Sequence, residues 1–232
     1  MTVNKTASRN LEHDLTQITP ELLLKAYAFG VFPMAKSRTE QDVYWVQPKE
    51  RGIIPLNQFH VPRSLRKVLR KGIFEVRTDS AFEAVIEGCA ESGPNREDTW
   101  INDQIVELFT DLFDAGLAHS VETWIDGELV GGLYGLAMGS VFFGESMFTR
   151  RDNASKVALC HLVAIMKEGG YHLLDTQFIT DHLAQFGAIE IEHQDYMKEL
   201  GDALGHLGRF GPPLPYSEIE RLLFSQSRIQ TS

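Results

Sequence analysis

The chain has 232 residues, 43% of them hydrophobic, and a formal net charge of −10. That is room for one large domain, or a small domain fused to a medium one, with a sizeable core. No apolar run approaches the roughly 20 residues that span a bilayer, and MTVNKTASRNLEHDL at the N-terminus offers no signal-peptide stretch, so a cytoplasmic protein without membrane contact is expected.

In chain order, residues 1–17 are polar and expected to fray. Thr19-Pro20 reads as a helix start, with Thr19 at the cap and Pro20 at the first helical position. That helix is expected to reach about Phe29 and stop at Gly30. GVFPMA, residues 30–35, reads as a turn-forming segment, and a short strand near Tyr44–Val46 ends at Pro48. Pro62 opens the next helix and Gly72 closes it.

That second helix carries unusual charge. Residues 60–77 hold six basic side chains and one acid, a local +5, so the remainder of the chain carries −15. Arg63, Arg66, Lys67 and Arg70 fall at i, i+3, i+4 and i+7, which puts them on one face. Leu65, Val68 and Leu69 lie on the other side. No acid stands at helical spacing to neutralise them, and like charges so placed repel by a few tenths of a kcal/mol per pair. An acidic protein with one concentrated basic face is read as an anion binder, against the default of a merely solvated surface.

Ser80 or Asp79 is expected to cap a helix through Cys89, followed by a polar loop over residues 91–98. Asn102 or Asp103 caps a helix to about Ala115, ended by Gly116. A strand meander follows: AHSVETWI alternates, Asp126-Gly127 is a hairpin signal, and ELVGGLYGLA and GSVFFGESMF supply two more strands. A helix from about Ala154 to Lys167 carries the stripe Leu159, Leu162, Val163 and Met166 and stops at Gly169-Gly170. YHLLDTQFI reads as a strand, Thr180 as the cap of a short helix to Phe186, and AIEIEH as a last strand. The order predicts an α+β fold with a mixed, mostly antiparallel sheet, compatible with the GCN5-related acetyltransferase-like kind. Cys89 and Cys160 match no metal-ligand pattern and read as reduced core thiols.

Chemistry concentrates on two strands. Asp175 and Gln177 share a face of the strand Leu173–Ile179. Burying them unpaired would cost several kcal/mol, so they either satisfy each other and the local backbone or serve a site. In VFFGESMF, Glu145 is expected on the face of Val141, Phe143 and Met147, with Gly144 permitting close approach. A charge at a strand end reaching solvent is the plainer account. Trp100, Trp124, Tyr134, Phe142, Phe143 and Phe148 form either core or an apolar pocket. His119 and His182 read as structural. No GxSxG, SxxK, P-loop or GxGxxG is present. TRRDNASK lacks the glycine-rich turn that would receive a CoA pyrophosphate, which weakens an acyl-CoA reading.

Several segments together resemble the leucyl/phenylalanyl-tRNA–protein transferases. They are GVFPM, RSLRK, EGCA, TWI, AHSVE, ELVGGLYG, FGESMFTR, NASK and DTQ followed by GAIEI, in that family's order and covering roughly residues 20–200. The resemblance implies a small N-terminal domain (1–60) joined to an acetyltransferase-like catalytic domain (61–232). It implies transfer of leucine, or less often phenylalanine, from Leu-tRNA or Phe-tRNA to proteins with N-terminal Arg or Lys, marking them for degradation. No metal or other cofactor is expected, because an aminoacyl ester is already activated. By position, Asp175 and Gln177 match the family's catalytic pair, and Glu145 matches the acid beside the acceptor site. Met34, Trp100 and Phe142 match the pocket for the aminoacyl side chain. Arg63, Arg66, Lys67 and Arg70 match the tRNA-binding segment. Met34 replaces a frequent Trp, YWVQP stands for WWSP, and a GGDL-like N-terminal stretch is missing. The competing expectations are an acyl-CoA N-acyltransferase, a non-catalytic tRNA-binding module and a peptidoglycan-type aminoacyl transferase.

Overall fold

The computed structural model describes residues 18–91 and 99–224. The expected frayed segment 1–17 and most of the expected polar loop 91–98 lie outside the described residues. Helix α1 (Pro20–Ala28) begins as expected, with the Thr19 side chain accepting from Leu22 N–H. Gly30 follows at φ +73°. The next segment is not a turn: β1 (Phe32–Ala35) pairs antiparallel with β2 (Val43–Val46), Met34 opposite Tyr44. Burial of Phe32 and Ala35 holds β1 extended, and Pro33 is tolerated because a two-stranded ribbon has only edges.

The large sheet has seven strands in the order β4-β5-β6-β7-β8-β3-β9. These are β3 (Glu50–Ile54), β4 (Glu75–Thr78), β5 (Ala118–Ile125), β6 (Glu128–Met138), β7 (Val141–Thr149), β8 (Leu173–Gln177) and β9 (Ile189–Glu192). Every pairing is antiparallel except β7 with β8. That parallel pair is joined by the crossover helix α5 (Ala154–Glu168), as a parallel connection requires. β3, an unexpected strand within the span 1–60 expected as the small N-terminal domain, is an interior strand of the large sheet, between β8 and β9.

Side chains alternate across the strands and build two cores. On one face Ile54, Phe142 and Leu174 pack under α5, helped by α2 (Arg63–Lys71), α6 (Asp181–Ala184) and α8 (Tyr216–Phe224). On the other, Ile53, Phe143 and Leu173 pack under α1, α3 (Phe82–Ala90), α4 (Asp103–Asp114) and α7 (His193–Leu204). α5 is buried on nearly all sides, so it carries no polar face to advertise its helical period. Cys89 and Cys160 are both buried, and neither is in a disulfide. No helix among the described residues is long and apolar enough to cross a membrane.

α2 follows its expectation. Gly72 closes it in the left-handed region at φ +60°, and Leu65 and Leu69 are buried. Asp126 and Gly127 both take positive φ, +50° and +81°, the turn that matches strand twist in a two-residue hairpin. The cap of α3 differs from expectation. Its N-cap is Ala81, which has no side-chain oxygen to offer. The fully buried carboxylate of Glu122 on β5 substitutes, accepting from the backbone N–H groups of Ser80 (2.8 Å) and Ala81 (2.9 Å). It also accepts from both serine hydroxyls, Ser80 and Ser120, and from Trp124 Nε1–H. Glu122→Gln keeps the shape but turns acceptor sites into donors facing donors. It should lower stability by about 1–3 kcal/mol, as read by urea denaturation.

Candidate active site

Pairing between β7 and β8 stops at Phe143 opposite Asp175. Just beyond, residues of both strands line a cavity of about 420 Å³. Its buried walls are apolar: Leu133 from β6, Leu159 and Leu162 from α5, and Leu174 from β8. Met34 and Trp100 line it from the N-terminal side, linked by the hydrogen bond from Ala35 N–H to Trp100 C=O (3.1 Å). Gln177, Glu145, Thr176 and Ser155 supply polar groups. Phe178, 44% exposed, completes the lining and packs edge-on against Phe32.

Glu145 reaches this wall through a β-bulge. Gly135 pairs with Gly144 and Tyr134 with Ser146, so Glu145 is the extra residue. A side chain at position 135 would collide with the Phe143 carbonyl and the Phe142 ring, so glycine is required opposite the bulge. The bulge breaks the expected alternation. Phe143 and Phe148 belong to one core, and Phe142 and Met147 lie against the other. Glu145 Oε1 accepts from the buried Tyr27 hydroxyl of α1 (2.8 Å) and from Gln177 Nε2–H (3.4 Å). Burial raises its pKa from 4.5 to about 8, against the lowering effect of the Tyr27 hydrogen bond; Asp175 adds to the rise and Arg51 opposes it.

Asp175 and Gln177 come together differently from the expected side-by-side pair. Gly52 pairs with Gln177 and Ile53 with Asp175, leaving Thr176 out of the ladder. Asp175 is fully buried and absent from the cavity wall. Its carboxylate accepts from Arg51 Nε–H (2.9 Å) and Nη2–H (2.8 Å), from the Tyr196 hydroxyl (2.6 Å), and from the backbone N–H of Gln177 (2.8 Å). That last bond holds Gln177 at φ +57°, a conformation rare for a non-glycine residue. Gly52 lies beneath, where a Cβ would meet the Phe178 carbonyl carbon at 2.7 Å. Asp175 thus orients the Gln177 main chain, and Glu145 orients its side-chain amide.

Arg51 is 1% exposed. Its Nη1–H donates to Gly30 C=O (3.1 Å), and its guanidinium lies 4.5 Å from the Phe32 ring centre and 4.8 Å from that of Tyr196. Burial alone would lower its pKa, but the Asp175 charge and hydrogen bonds outweigh it and the net direction is upward. Arg51, Tyr27 and Tyr196 were not expected at the site; nothing local marks an arginine between two proline-flanked positions as the partner of a carboxylate 124 residues away.

Of the expected pocket residues, Met34 and Trp100 line the cavity and Phe142 does not. Phe142 is fully buried and stacks on Phe210 at 5.9 Å, because it precedes the bulge and faces the core under α5. His119 is structural, as expected: it bonds Asp79 (2.8 Å) and stacks on Phe210. His182, also expected to be structural, lines the cavity. Burial lowers its pKa, with Lys156 adding to the effect.

On α2, Arg63, Lys67 and Arg70 are exposed, and no salt bridge among the described residues involves them. Arg66 is partly committed: its Nε–H donates to Val61 C=O (2.9 Å) and its guanidinium lies over Phe224. The opposite side of α2, Leu65 and Leu69, shares a core with the cavity walls Leu159 and Leu162. The basic face is therefore tied to the cavity through one packed layer.

Three outcomes follow from this geometry. Removing one partner of a buried pair strands the other charge, so Asp175→Ala should cost about 3–5 kcal/mol in denaturant titration. Gln177→Gly, at a backbone conformation glycine adopts freely, should stay within about 1 kcal/mol of the parent. The Glu145 pKa is raised by folding, so the folded state holds a proton that the unfolded state has released between pH 4.5 and about 8. Stability is then lost as pH rises through that window. Glu145→Gln should remove the slope, gaining roughly 2 kcal/mol relative to the parent at pH 8.5 compared with pH 4.5 once solvent screening of a half-buried group is allowed for. Melting curves at both pH values measure it.

Residues 53–201 match the family described as leucyl/phenylalanyl-tRNA protein transferase, and residues 16–49 match its N-terminal domain. A leucyl/phenylalanyl-tRNA–protein transferase of Paramagnetospirillum magneticum is 61% identical over 193 residues, covering 83% of this chain and 92% of that one. Those of Rhodospirillum rubrum and Maricaulis maris are 58% and 56% identical, covering 87% and 91% of this chain and 94% and 97% of theirs. Among solved structures, L-PGS from Bacillus licheniformis aligns at a TM-score of 0.40 and 13% identity, over 89% of this chain and 71% of that one. Matched by both family descriptions and by relatives along almost their whole length, the chain belongs to the leucyl/phenylalanyl-tRNA–protein transferase family.

Proposed function

We propose that this aminoacyltransferase moves leucine, with phenylalanine and methionine as further cargo, from Leu-tRNA or Phe-tRNA to the N-terminal Arg or Lys of acceptor proteins. The product then carries an N-terminal degradation signal, and the donor puts the reaction in the cytoplasm. The observation that carries this reading is an apolar cavity of about 420 Å³ whose lining includes a neutral amide and a carboxylate. Leu133, Leu159, Leu162, Leu174 and Met147 suit an unbranched or branched apolar side chain and offer nothing to a charged one. Met34, a flexible thioether where the family often has Trp, gives that pocket an adaptable wall.

In the reaction, the acceptor's α-amino nitrogen forms a bond to the aminoacyl carbonyl carbon, the ester C–O bond breaks, and the tRNA hydroxyl leaves with the proton the amine gives up. Gln177 Nε2–H points at Glu145, so its carbonyl oxygen is the end available to the attacking amine. An amide is a weak base, and its contribution is to position the nucleophile. Glu145 Oε1 is occupied by Tyr27 and Gln177; its second oxygen suits the cationic side chain of an acceptor Arg or Lys. Arrival of that cation favours the ionised carboxylate, so a group nearly neutral when empty becomes a counter-ion when filled. Asp175 acts through the Gln177 main chain as a positioning residue. Arg63, Lys67 and Arg70 offer charge to tRNA phosphates, with Arg66 serving partly as a structural strut.

The experiment is transfer of labelled leucine from Leu-tRNA to an Arg-starting peptide, with the N-acetylated peptide as control. Label should enter the free peptide and not the acetylated one, and Gln177→Gly should reduce kcat by about 10²-fold through lost positioning. Transfer at parental rate by that variant would remove Gln177 from the mechanism; no transfer by the parent chain would refute the function.

A further inference from the structure

At the opposite end of β8 from Gln177, a second cluster of polar groups stands apart from the aminoacyl cavity. His172 immediately precedes β8, Asp202 lies in the last turn of α7, and His206 follows that helix. One ligating atom from each lies within 4.8 Å of the others. The two imidazole rings cross at 83° with centres 4.8 Å apart.

The hydrogen bonds around them fix which nitrogens are free. Ser140 is buried, and its hydroxyl donates its single proton to Ala203 C=O (2.8 Å). It can therefore only accept from His172, so the contact at 3.0 Å is a donation from His172 Nδ1–H. His206 Nδ1 lies 2.8 Å from Asp202 C=O, an atom that can only accept, so His206 also carries its proton on Nδ1. Both neutral rings then present an Nε2 lone pair. A metal-binding histidine shows the same arrangement, one nitrogen donating to an oxygen and the other left for the ion.

The base beneath the cluster is rigid. Ser140 N–H donates to Ala203 C=O (2.9 Å) and His172 N–H to Ser140 C=O (2.8 Å). Gly139, at φ +60°, packs so closely that a Cβ would meet Leu204 Cα at 2.9 Å. The start of β7, the start of β8 and the end of α7 are thus already joined where the ligands project.

We propose that His172, Asp202 and His206 form a binding site for a divalent transition-metal ion of the zinc class. Two imidazoles and one carboxylate suit zinc, cobalt, nickel or copper, and water fills the remaining position. Oxygen-preferring magnesium or calcium would gain little from this donor set. The ion would clamp the end of α7, the helix whose Tyr196 holds Asp175, to the sheet. It would act on stability and need take no part in aminoacyl transfer.

The test is calorimetric titration of the chelator-treated full-length protein with zinc chloride, with magnesium chloride as comparison, alongside melting curves. Zinc should bind one-to-one at this site and raise the melting temperature, and magnesium should do neither. His172→Ala and His206→Ala should each weaken zinc binding at least tenfold while leaving the metal-free melting temperature within a few degrees. Zinc binding as tight in both variants as in the parent, or no one-to-one binding in the parent, would overturn the proposal. If either variant melts early without metal, Asp202→Asn, fully on the surface side of α7, provides the same comparison.

Discussion

A charge pair with no access to water is the constraint around which this molecule is arranged. Arg51 and Asp175 lie on neighbouring strands of the large sheet, 1% and 0% exposed. Each alone would be too costly to bury; together, with Tyr196, Gly30 C=O and the Gln177 N–H filling the remaining valences, the cost is offset. The pair draws in the end of α1, strands β3 and β8, and helix α7. An apolar substitute could hold those elements together equally well. It could not present a carboxylate to the main chain of Gln177, and that service gives the pair its place in a site.

The cavity arises because two adjacent strands part company. β7 and β8 run parallel for three residue pairs and then each breaks its ladder, β7 with Glu145 as an extra residue and β8 with Thr176 left unpaired. Both irregularities fall at the point where the strands separate. Regular strands would have continued to pair and filled the space with alternating side chains. Here the separation opens an apolar chamber, with leucines of α5 as its wall and Glu145 and Gln177 bonded across the gap. Glu145, Thr176 and Gln177 all fall at these two breaks.

Much of this was legible from the residues alone. Helix caps at Thr19, Asn102 and Thr180, the left-handed stop at Gly72 and the Asp126-Gly127 hairpin all depend on local chemistry, and each stands where that chemistry put it. Elements whose only stabilisation is distant were missed. β3 is five residues between prolines and is a strand because β8 and β9 flank it. β1 reads as a turn until β2 is laid beside it. At the site, the identities of Asp175, Gln177 and Glu145 were readable and their relations were not. A period of two assigns faces correctly only while a strand stays regular, and it fails at the bulge, which is why Met147 does not share the face of Phe143. Arg51 carried no signal, since its meaning rests on a partner across the sheet.

The extra residue in β7 also lets the strand change parity without disturbing either core. Upstream of position 145, odd-numbered side chains point toward α1; from Ser146 onward, even-numbered ones do. Trimming Glu145 from the GES tripeptide would restore an unbroken ladder, with Gly144 still opposite Gly135, Ser146 opposite Tyr134, and Met147 and Phe148 still on their own sides. Both cores could be built without the extra residue; the carboxylate that meets Tyr27 and Gln177 could not be placed without it.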